Sequence, residues 1–290
     1  MSLNTAKSLA QKITSHLGGN STRCDLVSNG INKIFEYSGD AGQFFVRMVP
    51  ETYRSFSDLE DELSVMHKLS VVGLPVCGVP QLKVPLVFGP ISSESDNYNG
   101  LITLAVSGRQ LGLTIADNEA LARSLAKVHC VDRALILDCS RKPENPSHQG
   151  LERSRFRKVV ALISELIDEF RKDVRSPSVG LCHGDAWHGN AIFDGGEAIL
   201  IDFEHHHVGP TSFDVATQIW WLKAVGGDRS RDLVCAFLEE YSKCCGSRIS
   251  DAELRFQILR KELLNLHYLD WLELAPDLEE ETMVRAHRTL

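Results

Sequence analysis

Three polar side chains that could take part in catalysis or metal binding occur within residues 181–204, LCHGDAWHGNAIFDGGEAILIDFE. Asp185, Asn190 and Asp202 stand among apolar runs that resemble β-strands. Magnesium prefers oxygen ligands and commonly takes only one or two carboxylates from a protein, which leaves room for phosphate oxygens. Asn190 and Asp202 are therefore candidate metal ligands. Asp185 is then left to accept a proton from an attacking hydroxyl.

A tight hairpin is predicted where two consecutive glycines separate two apolar runs. Residues 191–194 and 198–203 are the expected strands, and the glycine pair between them is a strong signal for a two-residue turn. Such a turn pairs positions on either side of the glycines. We therefore expect Asn190 to lie beside Ile201 and Asp202 at the open end of the hairpin.

The order and spacing of these residues match the template for phosphoryl transfer. That template has a catalytic-loop Asp, an Asn five residues later and a second Asp further along the chain. Protein kinases carry H-R-D-x-x-x-x-N in this loop, and this chain carries His183-Gly184-Asp185 and then Asn190. The alternative is an accidental HGD triplet before an ordinary hairpin. Because three elements occur in the right order, phosphoryl transfer is favoured.

The motif H-G-D-x-x-x-x-N followed by I-D-F-E resembles the aminoglycoside phosphotransferase and choline kinase family, and the resemblance extends over most of the chain. It implies an α+β, two-lobed protein-kinase-like fold, with an antiparallel sheet and a helix in a small N-terminal lobe and a larger, mainly helical C-terminal lobe. The implied lobes are residues 1–106, which bind nucleotide, and residues 107–290, which carry catalysis and bind substrate. ATP and Mg²⁺ are the implied cofactors.

Three short strands are predicted in the first lobe, at residues 24–28, 33–37 and 43–49. A glycine between two strands lets backbone N–H groups approach phosphates closely, although a plain hairpin turn explains the same glycine. The family resemblance implies that Gly30 and the following Asn32 contact the nucleotide.

Arg47 interrupts an otherwise apolar strand, FFVRMV, and a charge in such a place needs a reason. In kinases the third strand carries a Lys that holds the nucleotide phosphates and pairs with a Glu on the next helix. The resemblance places Arg47 in that position, as in choline kinases, and Glu62 on a predicted helix at residues 55–69. The alternative is an edge-strand arginine with its head group in water. Ser57 or Asp58 is the expected cap of this helix.

A further strand at residues 101–106 is expected to end the first lobe. The resemblance implies that the following Ser-Gly is the hinge and that adenine stacks beside it. Backbone groups around Leu104 and Val106 would then bind the adenine.

Several polar residues in the second half are expected to support the structure. His129 ends a predicted helix at residues 118–129, where a histidine is more often buried than catalytic. Asp214 stands at the start of a later helix, and the resemblance implies that it braces the catalytic loop by accepting backbone N–H bonds. His183 is assigned a similar supporting role. A zinc site is a weaker alternative, because only His205 and His207 of the three consecutive histidines could share an ion.

Composition excludes several classes of protein. Hydrophobic residues make up 43% of the 290, which is enough for a folded core. The net charge of −8 argues against nucleic-acid binding. The sequence contains no apolar run of about 18 residues, so a membrane span is not expected. The eight cysteines form no C-x-x-C pair, and the N-terminus lacks the apolar centre of a signal peptide, so a cytoplasmic protein is expected.

The sequence therefore predicts an ATP-dependent enzyme that moves the γ-phosphate to a hydroxyl of a small molecule, with Asp185 as the base. One alternative is a protein Ser/Thr kinase, because residues 107–111 (SGRQL) and 267–274 (HYLDWLEL) are similar to the bacterial stress response kinase branch. Another is a nucleotide-binding pseudoenzyme, which is disfavoured because all three polar residues are present. The sequence contains no motif that selects one acceptor.

Overall fold

The computed structural model describes residues 3–271 except 19–20, 41, 94–95, 137–138, 140, 142–150 and 152–155. The chain divides into two compact units, Met1–Gly108 and Arg109–Leu290. The first unit contains an antiparallel sheet with helices, and the second is mainly helical. The predicted α+β class with a kinase-like arrangement of elements is confirmed.

The first unit is built on a five-stranded antiparallel sheet in the order β1-β2-β3-β5-β4. Its strands are β1 (Ser21–Asn29), β2 (Lys33–Gly39), β3 (Gly42–Pro50), β4 (Val87–Ser92) and β5 (Asn97–Leu104). The first three confirm the predicted strands.

Two features of this sheet differ from the prediction. Strand β5 begins before residue 101 and ends at Leu104, so it does not reach residue 106. Strand β4 was not predicted, because its segment VFGPIS contains Gly and Pro, which weaken the local strand signal. It forms through non-local pairing with β5, for example between Val87 and Leu101.

Two helices accompany this sheet, α1 (Leu3–Leu17) and α2 (Phe56–Val71). Helix α1 buries Leu9, Ile13 and Leu17, which recur at helical spacing, in one cluster with side chains of the sheet. The cap predicted for α2 is wrong. Ser55 is the N-cap, because its hydroxyl accepts the N–H of Asp58 at 3.2 Å while the Asp58 carboxylate accepts the N–H of Ser55 at 3.0 Å. This reciprocal pair is a capping box.

The second unit contains five described α-helices. They are α3 (Ile115–His129), α4 (Arg157–Arg171), α5 (Ser212–Val225), α6 (Ser230–Cys245) and α7 (Asp251–Trp271). Helix α3 begins earlier than predicted because Thr114 caps it by accepting the N–H of Asp117. Helices α4 and α7 share a hydrophobic core, where valine, isoleucine and leucine side chains of α4 are buried against leucine side chains of α7.

Two small sheets flank these helices. Strands β6 (Arg109–Gln110), β8 (Ala191–Asp194) and β9 (Glu197–Leu200) form one sheet in the order β6-β8-β9. Strand β7 (Val179–Cys182) pairs antiparallel with β10 (His207–Pro210) in the other. No helix in the described part of the chain is long and apolar enough to cross a membrane.

The predicted hairpin is the β8–β9 pair, and its two-residue turn is confirmed. Asp194 pairs with Glu197, and both intervening glycines have positive φ, 57° and 95°, as a type I′ turn requires. Strand β9 ends at Leu200 and does not continue to residue 203 as predicted. The physical reason is that Asp202 has φ of 65°, in the left-handed region, which cannot continue a strand.

Candidate active site

The HGD loop connects β7 to β8 and is closed by a side chain at its end. Asn190 Nδ2 donates to the backbone oxygen of Asp185 at 2.9 Å and to its carboxylate Oδ2 at 3.0 Å. Two of the three predicted site residues are therefore in contact. Because Nδ2 is used in these bonds, Oδ1 is the Asn190 atom that can serve as a ligand for a cation.

The third predicted residue, Asp202, comes directly after Ile201, the residue that pairs with Asn190. Ile201 donates its N–H to the Asn190 carbonyl at 3.0 Å, which confirms the predicted register. The Ile201 carbonyl in turn contacts His183 Nε2 at 2.8 Å. Asp202 then adopts its left-handed conformation, which costs a residue other than glycine free energy and is common at functional sites.

Asp214, in the first turn of α5, holds the start of the HGD loop through hydrogen bonds. Its carboxylate is fully buried and accepts the backbone N–H of His183 at 2.6 Å and that of Gly184 at 2.9 Å. His129 Nε2 contacts the same carboxylate at 3.0 Å. Burial alone would raise the pKa of Asp214, but the bond to His129 and the charges of His129, His183 and His207 lower it. The three supporting roles expected for Asp214, His183 and His129 agree with these contacts.

Gly184 occupies a position that no larger residue fits. Its φ is 88°, and a Cβ placed on it would lie 2.0 Å from the carbonyl oxygen of His205. The loop therefore passes directly against the segment that follows Asp202. The glycine of the HGD triplet is required by this backbone approach.

Lys261 was not anticipated from the sequence. It lies on α7, and its Nζ is 2.7 Å from Asp185 Oδ1, although 76 positions separate the two residues. Burial would raise the pKa of Asp185, but the Lys261 ammonium, with His205 and His183 nearby, outweighs that effect and holds this pKa below its usual value. A charged residue within a long helix carries no local signal of such a contact.

In the first unit the predicted pairing of Arg47 with Glu62 is present. The Arg47 guanidinium donates to the Glu62 carboxylate, and the two side chains are only 9% and 2% exposed. Arg47 lies on β3, which pairs with β2 on one side and β5 on the other. The alternative of an edge-strand arginine with its head group in water is therefore wrong.

The turn between β1 and β2 contains Gly30 and Asn32. The Gly30 carbonyl accepts a hydrogen bond from the Lys33 ammonium. Gly30 has no positive φ, and an added Cβ would meet only the Asn32 carbonyl oxygen, at 3.8 Å. The conformation of this turn therefore does not itself require glycine.

The two positions assigned to adenine binding lie at and just beyond the end of β5. The Leu104 side chain is 38% exposed. Its backbone N–H donates to the Gly78 carbonyl at 3.2 Å, and its carbonyl contacts the Cys77 thiol at 3.3 Å. The backbone polar groups of Leu104 are thus already engaged. Val106 is half-buried beyond the strand.

The consecutive histidines form local contacts. His205 Nε2 is 3.1 Å from the Glu204 carboxylate, and His207 Nδ1 is 2.9 Å from the His205 carbonyl. His206 Nδ1 lies 2.7 Å from the Phe203 carbonyl. Among the described residues, no group of three or more His, Cys, Asp or Glu side chains is arranged to hold a metal ion.

Solved structures with the same fold include several small-molecule kinases. A microcompartment-associated aminopropanol kinase has a TM-score of 0.73 at 15% identity, over 98% of this chain and 95% of that one. The amicoumacin kinase hAmiN, solved with AMP-PNP and Ca²⁺, has a TM-score of 0.68 at 15% identity, over 97% and 92%. Spectinomycin phosphotransferase APH(9)-Ia, solved with ADP and spectinomycin, has a TM-score of 0.66 at 13% identity, over 98% and 94%. At these identities the likeness shows a shared fold.

Sequence comparison identifies the family. No curated protein sequence matches the chain. The sequence profile of the phosphotransferase enzyme family (APH) matches residues 26–245, about three quarters of the chain, and this range includes the HGD loop, Asp202 and the Arg47–Glu62 pair. The chain therefore belongs to the phosphotransferase enzyme family, which confirms both the predicted family and the predicted enzyme class, a phosphotransferase with an alcohol group as acceptor.

Proposed function

We propose that the chain transfers the γ-phosphate of ATP to a hydroxyl group of a small molecule. The observation that carries this proposal is the position of Asp185, which is in contact with Asn190 on a loop that a buried carboxylate braces. The structural relatives named above support it, because all three are named as kinases or phosphotransferases of small molecules and two were solved with an adenine nucleotide or its analogue.

Asp185 is assigned the role of base and positioning group for the acceptor. Its pKa lies below the usual value, so the carboxylate is ionised at neutral pH. An ionised carboxylate can accept a hydrogen bond from an approaching hydroxyl and orient it in line with the phosphoryl group. As the new O–P bond forms and the bond to the ADP oxygen breaks, the hydroxyl proton passes to Asp185.

Asn190 and Asp202 are assigned to Mg²⁺. Their side chains supply an amide oxygen and a carboxylate, which are the donors that this ion accepts in proteins. The pairing of Ile201 with Asn190 supports the assignment, because it brings Asp202 next to the end of the loop. A bound Mg²⁺ would offset the negative charge of the nucleotide phosphates.

Arg47 is assigned to the nucleotide phosphates, oriented by Glu62. A guanidinium has donors enough to bind a carboxylate and a phosphate oxygen at once. We assign Gly30 and Asn32 to the nucleotide as well. At the end of β5, the exposed side chain of Leu104 would contact adenine, and the backbone of Val106 would bind its polar edge.

A small-molecule acceptor is preferred over a protein. The three structural relatives are named for aminopropanol, amicoumacin and spectinomycin, and none is named for a protein substrate. Of the two segments that resemble a stress response kinase, residues 267–274 extend beyond the described residues at 272–274. Because none of the three relatives is named for a protein substrate, we propose no protein substrate.

The proposal is tested by an acceptor screen with the purified full chain, ATP and Mg²⁺. The panel contains aminopropanol, choline, homoserine, spectinomycin and hygromycin B, with ADP release as the readout and mass spectrometry of the product. We expect phosphate transfer to at least one hydroxyl compound. Tight nucleotide binding without transfer to any acceptor would instead indicate a pseudoenzyme.

The residue assignment is tested with Asp185→Asn. This change should lower turnover by about 10² or more, the usual range for a general base, and leave Mg-ATP binding measured by calorimetry nearly unchanged. Asp232→Asn, an exposed position on α6, is the matched control and should keep full turnover. Near-normal turnover of Asp185→Asn would show that Asp185 is not the base.

A further inference from the structure

Lys261 contacts Asp185 from helix α7, whose neighbouring side chains pack in the interior of the second unit. Leu259 and Leu263, on either side of it, are buried in the core shared with α4. The neighbouring Glu262 accepts a hydrogen bond from the Trp220 indole on α5. Because these contacts fix the α7 backbone, Lys261 is presented to the loop from a rigid support.

The contact between Lys261 and Asp185 is not an ordinary surface ion pair. The two side chains are 15% and 27% exposed, and Nζ lies 2.7 Å from Oδ1. Exposed pairs contribute little to stability because water and salt screen them. Shielding from water makes this contact stronger and more directional than such a pair.

The two oxygens of Asp185 have different partners. Oδ1 is bound by Lys261, and Oδ2 is bound by the Asn190 amide. With one donor at each oxygen, rotation of the carboxylate is restrained from both sides. Each carboxylate oxygen has two lone pairs, so Asp185 keeps acceptor capacity for a substrate hydroxyl. Without Lys261, Asn190 would restrain only one of the two oxygens.

We propose that Lys261 is a positioning residue for phosphoryl transfer, which holds the Asp185 carboxylate in the orientation that receives the acceptor hydroxyl. This inference rests on the function proposed above. The hydroxyl proton passes to Asp185, and Lys261 takes no part in the proton transfer. The proposal gives α7 a share in catalysis in addition to its part in the core.

The test compares Lys261→Met, Lys261→Arg and Lys261→Gln with wild type. ADP release from Mg-ATP is measured with the best acceptor of the panel above and with water alone. Misplacing a catalytic group costs up to about 10²-fold in rate, so Lys261→Met should lower kcat by about 10–100-fold. The KM for ATP should stay within about twofold, because the effect acts on the acceptor side.

Two comparisons separate positioning from a general structural role. Lys261→Arg keeps a cationic donor and should recover most of kcat, whereas the neutral Lys261→Gln should not. Lys243→Met, at a 77% exposed lysine on α6, is the matched control and should behave as wild type. Thermal unfolding of each variant shows whether it is folded, and Lys261→Gln replaces Lys261→Met if the methionine variant is not.

A double-mutant cycle with Asp185→Asn completes the test. If Lys261 acts through Asp185, adding Lys261→Met to Asp185→Asn should lower the residual rate no further. Wild-type kcat in Lys261→Met and Lys261→Gln would overturn the proposal, and so would effects that multiply in the double variant. If Asp185→Asn alone is active, the assignment of Asp185 fails, which is a different result from the failure of Lys261.

Discussion

Each unit of the chain contains an ion pair at a candidate functional residue, Arg47–Glu62 in the first and Asp185–Lys261 in the second, and the two pairs are built differently. Glu62 and Arg47 are 15 positions apart, lie on a helix and a central strand, and are almost completely buried. Asp185 and Lys261 are 76 positions apart and remain partly exposed. Asp185 also lies on a loop, outside any helix or strand.

The difference shows two ways of fixing a charged side chain. In the first unit, regular backbone hydrogen bonding of β3 and α2 sets the positions of Arg47 and Glu62. In the second, individual side chains hold an irregular loop, chiefly Asp214 at its start and Asn190 at its end. An irregular loop leaves Asp185 accessible to an acceptor, but its geometry depends on a few specific contacts.

The largest effect should follow from removing the brace of the loop. Asp214→Ala deletes the acceptor for the N–H groups of His183 and Gly184 and for His129, all in a buried site. Breaking a buried, hydrogen-bonded group of this kind typically costs about 3–5 kcal/mol. We expect that loss in the free energy of unfolding measured with urea, together with loss of phosphate transfer.

Asp214→Asn is the conservative comparison. Its single side-chain oxygen has two lone pairs and can accept the two hydrogen bonds that reach Oδ2, from His183 and His129, but not the third from Gly184, so we expect a smaller loss of about 1–3 kcal/mol. Wild-type stability and turnover in Asp214→Ala would show that the loop is held by other contacts, and the contrast between the two units would then fail.

A smaller effect is expected at the pair in the first unit. Glu62→Gln preserves shape and one acceptor but removes the charge that balances Arg47, which should cost about 1–3 kcal/mol of unfolding free energy. The KM for ATP should rise, because Arg47 loses the partner that orients it. Exposed Glu60 on the same helix provides the control: Glu60→Gln should change the unfolding free energy by less than about 0.5 kcal/mol.

This experiment sharpens the comparison because it separates affinity from turnover. A rise in KM with little change in kcat is expected for a residue that acts on the bound nucleotide. A fall in kcat at unchanged KM would assign the Arg47–Glu62 pair to the chemical step, alongside Asp185.

The parts of the molecule that the sequence predicted depend on local patterns. Alternating strands located Arg47 in the sheet, and the two-residue glycine turn determined that Asn190 lies opposite Ile201. Both inferences need only the geometry of neighbouring residues. The HGD loop was recognised because its residue types and spacing match a known chemical arrangement.

The parts that were missed or misplaced depend on distant or non-repeating geometry. Strand β4 forms only by pairing with β5, and Lys261 reaches Asp185 only after the second unit has folded. The need for glycine at position 184 arises from the carbonyl of His205, which no local pattern reveals. The end of β9 was misplaced because the left-handed conformation of Asp202 interrupts an otherwise apolar run.

The smallest predicted effect concerns the start of α2, where the prediction of the cap was wrong. Ser55→Ala removes one half of the capping box and should cost about 1 kcal/mol of unfolding free energy. Ser57→Ala is the matched control and should cost less, because Ser57 contacts the Ser55 hydroxyl at 3.0 Å but does not cap the helix.

Neither change should alter kcat. The first unit positions the Arg47–Glu62 pair through regular elements. Fraying of the first turn of α2 therefore leaves Glu62 in place, because the buried side chains of Leu59 and Val65 still anchor the helix. A larger loss from Ser57→Ala than from Ser55→Ala would restore the cap predicted from the sequence, and a fall in kcat would show that α2 is as sensitive to single contacts as the HGD loop.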